Sequence, residues 1–272
     1  MTITPAITLA QISDTHLLAD KEAQLRGCNP LQSMQAVLQQ ALQAEPDGLL
    51  LTGDLAHIGE VEAYKQLQGA IAPLGLPAYW LPGNHDDIEV MQTVLNSPPF
   101  DGLSAIDSPV ITPRAIDLGA WQLLMLSSVL PQAQFGEGYV CPQTLQWLQT
   151  ELHRYPDKPT AIALHHHPVP INIDWVDQMQ VQNASDLLFV LDSCPQVKLV
   201  TFGHIHLDFC NRRDRPNSHL PLFFYGCPST HLQVTTETST QREQLPGFRL
   251  FHLYADGTHQ TQVQRLGMAH DL

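Results

Sequence analysis

Five apolar runs in this chain stop at the same kind of residue. Ala6–Ile12 gives way to Asp14-Thr15-His16, and Leu49–Thr52 to Gly53-Asp54. Ala78–Leu81 gives way to Pro82-Gly83-Asn84-His85-Asp86, Thr160–Leu164 to His165-His166-His167, and Val197–Phe202 to Gly203-His204-Ile205-His206. Short apolar runs closed by Gly, Pro or polar turns read as buried strands. A single Asn-His-Asp turn needs no explanation beyond local hydrogen bonding. Five strand ends that all deliver His, Asp or Asn call for a common target.

The segments between these runs are helical. Leu31–Ala44 places Leu31, Met34, Val37, Leu38, Ala41 and Leu42 at helical spacing, Pro46-Asp47-Gly48 stops it, and Glu60–Ile71 forms the next helix. Strand, helix, strand, helix, strand predicts a βαβαβ unit with a mostly parallel sheet and ligands at the carboxyl ends of its strands. Val110–Ile116 and Trp121–Ser127 read as a strand pair joined across Asp117–Ala120, and Pro142–Leu152 and Ala184–Leu191 as helices. After Leu220 come short strands without helices: Leu222–Tyr225, His231–Thr235, Phe248–Tyr254 and Gln260–Gln264. They suggest a second, antiparallel sheet packed on the first. With no repeat, low-complexity tract or linker, one domain over residues 1–272 is the expectation.

Thirteen basic against 27 acidic residues give a formal charge of −14. Such an excess opposes nucleic acid and anionic membranes, which bind basic surfaces. A phosphate-bearing substrate would need another source of positive charge, and metal ions are one. No apolar run approaches the length of a membrane span, and Met1–Pro5 lacks the basic start of a signal peptide. The five cysteines are scattered, with no Cys-x-x-Cys pair, which suits reduced thiols. A cytoplasmic protein is expected.

Asp14, His16, Asp54, Asn84, His85, His165, His204 and His206 offer carboxylate, imidazole and amide oxygen, the donors preferred by Mn²⁺, Fe²⁺ and Zn²⁺. Eight groups exceed the needs of one ion, so two are expected, with a carboxylate able to bridge them. Two such ions suit in-line hydrolysis of a phosphate ester.

In this order the blocks Asp-x-His, Gly-Asp, Gly-Asn-His-Asp, His and Gly-His-x-His resemble the signature of the calcineurin-like metallophosphoesterase superfamily, from Asp14 to His206. The resemblance implies an α/β fold, a four-layer α/β/β/α sandwich of two mixed sheets flanked by helices. It puts Asp14, His16 and His206 on one ion and Asn84, His165 and His204 on the other, with Asp54 bridging. His85 becomes the catalytic residue beside the phosphate, and Asn84 and His206 also face the substrate. Leu25–Asn29 with the following helix, His165–Pro170, Trp175-Val176-Asp177, Pro228-Ser229-Thr230 and Pro246–Arg249 are most similar to bacterial class III 3′,5′-cyclic AMP phosphodiesterases. That subfamily implies hydrolysis of 3′,5′-cyclic AMP to 5′-AMP by a metal-activated hydroxide, with Fe²⁺ or Mn²⁺, or alternatively Zn²⁺. It implies a small cyclic-nucleotide or phosphodiester substrate, with a homodimer among the expected assemblies. The alternatives are a broader phosphodiesterase of glycerophosphodiesters or 2′,3′-cyclic nucleotides, and a metal-bound scaffold without turnover.

One position departs from many relatives. Three residues after Asp54 they carry an Asp that orients the catalytic His; here it is His57, leaving Asp86, Asp87 or His57 as the partner of His85. His166 and His167 are expected to support the ligands or to be exposed rather than to coordinate. Trp175 and Phe248 could wall a nucleobase, but core or rim packing is the expectation.

Overall fold

In chain order the strands and helices of the computed structural model, which describes residues 4–95, 114–216 and 218–267, begin with β1 (Ile7–Ile12), α1 (Pro30–Leu42), β2 (Gly48–Thr52), α2 (Val61–Ile71), β3 (Ala78–Leu81) and α3 (Ile88–Leu95). There follow β4 (Arg114–Leu118), β5 (Trp121–Met125), α4 (Pro142–Arg154), β6 (Thr160–Leu164), α5 (Asp174–Asp177), α6 (Ala184–Asp192) and β7 (Val197–Phe202). The last are β8 (Phe209–Arg215), β9 (Ser218–Gly226), β10 (Gly247–Leu253) and β11 (His259–Arg265). Part of the expected strand over 110–116 lies outside the described residues. The described helices are all too short or too polar to cross a membrane.

The strands form two mixed sheets, ordered β11-β10-β1-β2-β3 and β4-β5-β6-β7-β9-β8. The first has a parallel centre, β1 to β3, extended by β10 running antiparallel to β1 and β11 to β10. In the second, β5, β6, β7 and β9 are parallel, with β4 and β8 antiparallel at the edges. The C-terminal strands therefore do not build a sheet of their own, as the sequence suggested. β9 completes the second sheet and β10 and β11 the first. Residues 231–235 form no strand; they run beside the strand ends as irregular chain.

Alternation along each strand sorts its apolar residues between two cores. Ala10, Ile12, Leu49, Leu51 and Trp80 pack with Met34, Val37, Tyr64, Leu67 and Met91 of α1 to α3. Leu9, Leu50 and Leu81 point the other way and meet Leu123, Ala161, Leu199 and Tyr225 of the second sheet. The second sheet's outer face, with Leu124, Ile162 and Val200, packs on Leu148 and Leu187 of α4 and α6. Three cores separate four layers, so each sheet is buried on both faces and its central strands read as continuous apolar runs. α1 starts where it does because the Asn29 side chain accepts from the Gln32 N–H (2.9 Å) and Pro30 occupies the first turn.

The inter-sheet core turns polar as it nears the carboxyl ends of the strands. Gln11, Thr52 and Thr201 continue the rows of Leu9, Leu50 and Leu199. Gln11 Nε2 donates to Thr52 Oγ1 (2.9 Å) and to the Phe202 carbonyl (3.2 Å), while Thr201 Oγ1 donates to Gln11 Oε1 (2.7 Å). Thr52 Oγ1 in turn donates to Ser13 Oγ (2.7 Å). This buried network ties the sheets together directly below the loops that bear the His, Asp and Asn residues.

Candidate active site

Because β1, β2, β3, β6 and β7 are parallel within their sheets, all five turns emerge at one edge. Their side chains converge there. Asp14, His16 and His206 bring donor atoms within 4.8 Å of one another, as do Asp14, Asp54 and His165. Gly83 and Gly203 allow the turns to approach: a side chain on Gly83 would collide with Asp54, and one on Gly203 with Ser13 and Asp14. Five of the converging residues have left-handed backbones, Asp14 (φ 53°), His16 (44°), Asp54 (50°), His204 (66°) and His206 (50°). Non-glycine residues adopt that conformation at a cost of about 1–2 kcal/mol each. They are held there by loop bonds such as Asp14 N–H to Gly53 carbonyl (3.0 Å) and His16 N–H to Asp54 carbonyl (2.9 Å).

Hydrogen bonds at the back of the imidazoles decide what their front atoms can do. His165 donates from Nδ1 to the Thr52 carbonyl (2.7 Å), so its Nε2 lone pair faces Asn84 Oδ1 (3.2 Å) and Asp54 Oδ1 (3.4 Å). His206 donates from Nδ1 to the Leu232 carbonyl (2.7 Å), which turns its Nε2 toward Asp14 Oδ1 and His16 Nε2, both at 3.3 Å. His204 presents Nδ1 to Asn84 Oδ1 (3.1 Å). Acceptor thus faces acceptor on both sides of Asp54, an arrangement stable only with a proton or a cation in each gap. The donor set fits two divalent ions of the Mn²⁺, Fe²⁺, Zn²⁺ group.

The ionisation pattern follows. Burial disfavours charge on His165, but Asp54 and Asp14 outweigh it and raise its pKa to about 9. Burial likewise opposes the charge of Asp54, and the neighbouring His165, His16 and His85 reverse this and hold the carboxyl well below its ordinary value. His206 is raised because Asp14 overcomes burial. His16 goes the other way, down to about 3, because burial and the His206 and His85 imidazoles exceed the pull of the carboxylates. Burial and adjacent imidazoles depress His204 and His166 strongly.

His85 stands at the solvent edge of this cluster. Its Nδ1 donates to the His57 backbone carbonyl (2.7 Å), and its own N–H donates to Asp54 Oδ1 (2.9 Å). The partner of the His85 ring is therefore a carbonyl, none of the three side chains the sequence offered. The His57 ring stacks against His85 (centroids 5.3 Å apart, planes at 18°) and places Nδ1 3.5 Å from His16 Nδ1. Asp86 accepts instead from the Leu55, Ala56 and Gly83 N–H groups and the Tyr64 hydroxyl, locking the Asp54 turn to the Asn84 turn. Burial and the Asp54 charge push its carboxyl up to about 6. Asp87 accepts from Val90 N–H (3.0 Å) at the start of α3.

His166 and His167 are both buried. His166 Nδ1 pairs with Ser128 Oγ (2.8 Å) and its ring lies 4.7 Å from His204; His167 Nε2 lies 3.4 Å from Asp177. Phe248 is core, whereas Trp175 stands half-exposed at the rim. The carbonyls of Thr52, His57 and Leu232 were invisible to the sequence reading, because a backbone acceptor leaves no residue signature.

The ligand cluster opens into a cavity of about 550 Å³, whose lining includes His16, Asp54, Asn84, His204 and His206. Residues 7–208 match the calcineurin-like phosphoesterase family. A 3′,5′-cyclic-nucleotide phosphodiesterase of Nostoc sp. is 40% identical over 264 residues, covering 96% of this chain and 92% of that protein. The 3′,5′-cyclic adenosine monophosphate phosphodiesterase CpdA of Escherichia coli (strain K12) is 36% identical over 269 residues, 96% of this chain and 90% of its own. A dimetal phosphatase from Danio rerio shares the fold at 14% identity, with a TM-score of 0.65 and coverage of 92% and 93% of the two chains. With its signature blocks gathered at one sheet edge and its relatives aligned nearly end to end, the chain belongs to the calcineurin-like phosphoesterase family.

Proposed function

We propose that this protein is a dinuclear metal-dependent phosphodiesterase that hydrolyses 3′,5′-cyclic AMP to 5′-AMP, its whole length acting as one unit. The observation that carries the reading is the pair of facing-acceptor gaps, His165 against Asp54 and His206 against Asp14, supported by near full-length relatives named a 3′,5′-cyclic-nucleotide phosphodiesterase and a 3′,5′-cyclic adenosine monophosphate phosphodiesterase. In this reading Asp14, His16 and His206 hold one cation, Asn84, His165 and His204 hold the other, and Asp54 serves both. When bound, two divalent cations would supply positive charge for the phosphate oxygens and lower the pKa of a coordinated water. Iron or manganese is the favoured occupant.

The chain's own contribution is placement and proton supply. Cleavage of the P–O3′ bond leaves an alkoxide that must gain a proton as the water oxygen bonds to phosphorus. His85, with Nδ1 committed to the His57 carbonyl, is left with Nε2 to donate that proton. Asn84 and His206, which line the cavity, would flank the phosphate of a bound substrate. The acidic surface is no obstacle, because the cations present the charge that meets the substrate.

The test is a panel of diesters with Mn²⁺- and Fe²⁺-loaded protein, products resolved by chromatography. Formation of 5′-AMP from 3′,5′-cyclic AMP is expected. Turnover confined to 2′,3′-cyclic nucleotides or glycerophosphodiesters would replace the substrate assignment, and no turnover of any ester, bis-p-nitrophenyl phosphate included, would leave a metal-bound scaffold.

A further inference from the structure

We infer that Trp175 and Phe135 form a stacking subsite for the purine of the bound nucleotide. The choice of a purine rests on the cyclic AMP reading above; the subsite itself rests on the shape and support of the cavity mouth. Both rings line the same cavity as the ligand cluster, yet Phe135 is 69% exposed and Trp175 54% exposed. Single exposed aromatics are ordinary on a protein surface. These two differ in the rigidity of what carries them.

Phe135 sits in the turn before Glu137, a buried carboxylate that accepts from the N–H groups of Gln134 (3.1 Å) and Phe135 (2.8 Å) and from Gln182 Nε2 (3.3 Å). Trp175 sits on α5, whose Asp177 accepts from Ile171 N–H (2.8 Å) and Asn172 N–H (3.0 Å) and faces His167 Nε2. His167 is two residues from His165 on the same strand end. The segment that carries each exposed ring is therefore braced by a carboxylate spent on backbone and side-chain bonds, and that of Trp175 is tied through His167 to the strand end bearing His165. Met179 lines the cavity beside them, a soft thioether suited to an aromatic face. Two aromatic rings lining the cavity that also holds the ligand cluster are what a planar base needs, and base–aromatic stacking tolerates a partly open site.

The test is calorimetric binding of 5′-AMP and of ribose 5-phosphate, which lacks the base, to Mn²⁺-loaded wild type, Trp175→Ala, Phe135→Ala and Trp175→Phe. Each alanine variant is expected to weaken AMP by about 5- to 150-fold and to leave ribose 5-phosphate within twofold, while Trp175→Phe keeps most of the AMP affinity. Unchanged AMP affinity in both alanine variants would overturn the inference. So would equal weakening of the two ligands, or a wild type that does not prefer AMP to ribose 5-phosphate. Cyclic AMP turnover is scored separately: a protein that shows the expected binding pattern without turnover retains the subsite and loses only the reaction.

Discussion

Gln11→Met removes the amide that links the two sheets while keeping nearly the same side-chain length. Gln11 is fully buried and makes three hydrogen bonds, to Thr52 Oγ1, to the Phe202 carbonyl and from Thr201 Oγ1. None of the three partners is stranded by the change. Thr201 Oγ1 also reaches the Tyr225 carbonyl (3.2 Å), the Phe202 carbonyl also receives Cys227 N–H (3.0 Å), and Thr52 Oγ1 keeps Ser13 Oγ. The cost is then the net worth of three bonds, about 0.5–1.5 kcal/mol each, and not the larger penalty for orphaned donors. Extra apolar burial by Met offsets part of it, leaving a loss of about 1–3 kcal/mol, or a Tm lower by roughly 2–10 °C in a chain of this size. The functional effect should exceed the structural one. Gln11 aligns the sheet bearing Asp14, Asp54 and Asn84 with the sheet bearing His165, His204 and His206, so affinity for Mn²⁺ should fall about 10–100-fold, as when a group that orients metal ligands is lost. Thermal melts of chelator-treated protein and calorimetric Mn²⁺ titration measure the two effects. Unchanged metal affinity with a lowered Tm would show that Gln11 is only core filling, and no change in either would sink the argument.

Asp54→Ala should lose both ions by metal analysis and all turnover, since it removes the shared carboxylate; retention of two ions refutes bridging. Asn84→Ala should weaken one ion and be partly rescued by excess Mn²⁺, an effect that titration of activity against metal would reveal or deny. His85→Ala should keep its metal and lose roughly 10²–10⁴-fold in turnover of cyclic AMP, with a smaller loss on p-nitrophenyl esters; equal losses exclude proton donation. His165 is raised to about 9 without metal, so below that pH a proton competes for Nε2, and Mn²⁺ affinity should decline as pH falls from 9 toward 6. Titrations in buffers of different ionisation enthalpy should show proton release on binding; none would mean that the metal-free site is already deprotonated.

The strand ends were legible because parallel strands buried on both faces must be apolar throughout, which made His, Asp and Asn at their ends conspicuous. β8 was not, since as an edge strand it carries Asn211, Arg212 and Asp214 toward solvent. The destination of the last strands was hidden for a different reason. Phe248 to Tyr254 read as a strand from their composition, but nothing local says that β10 joins β1 rather than β9. At the site, side-chain donors were legible and their backbone supports were not. Residues 231–235 read as a strand, yet their role is to bring the Leu232 carbonyl to His206, and His57 drew attention for its side chain when its carbonyl holds His85.

The left-handed backbones of Asp14, His16, Asp54, His204 and His206 set natural selection two opposing tasks. At His16 a glycine would relieve about 1–2 kcal/mol of backbone strain against an entropic cost of about 0.5–1 kcal/mol, so the backbone at that position gains from losing its ligand even though the buried ring contacts are lost. A lineage released from the need to hydrolyse its substrate therefore meets little backbone resistance to discarding these five residues. A library screened for heat tolerance alone would travel the same road, accumulating sturdy proteins that no longer hold a cation. Engineering a hardier version of this enzyme has to score metal retention and melting temperature together.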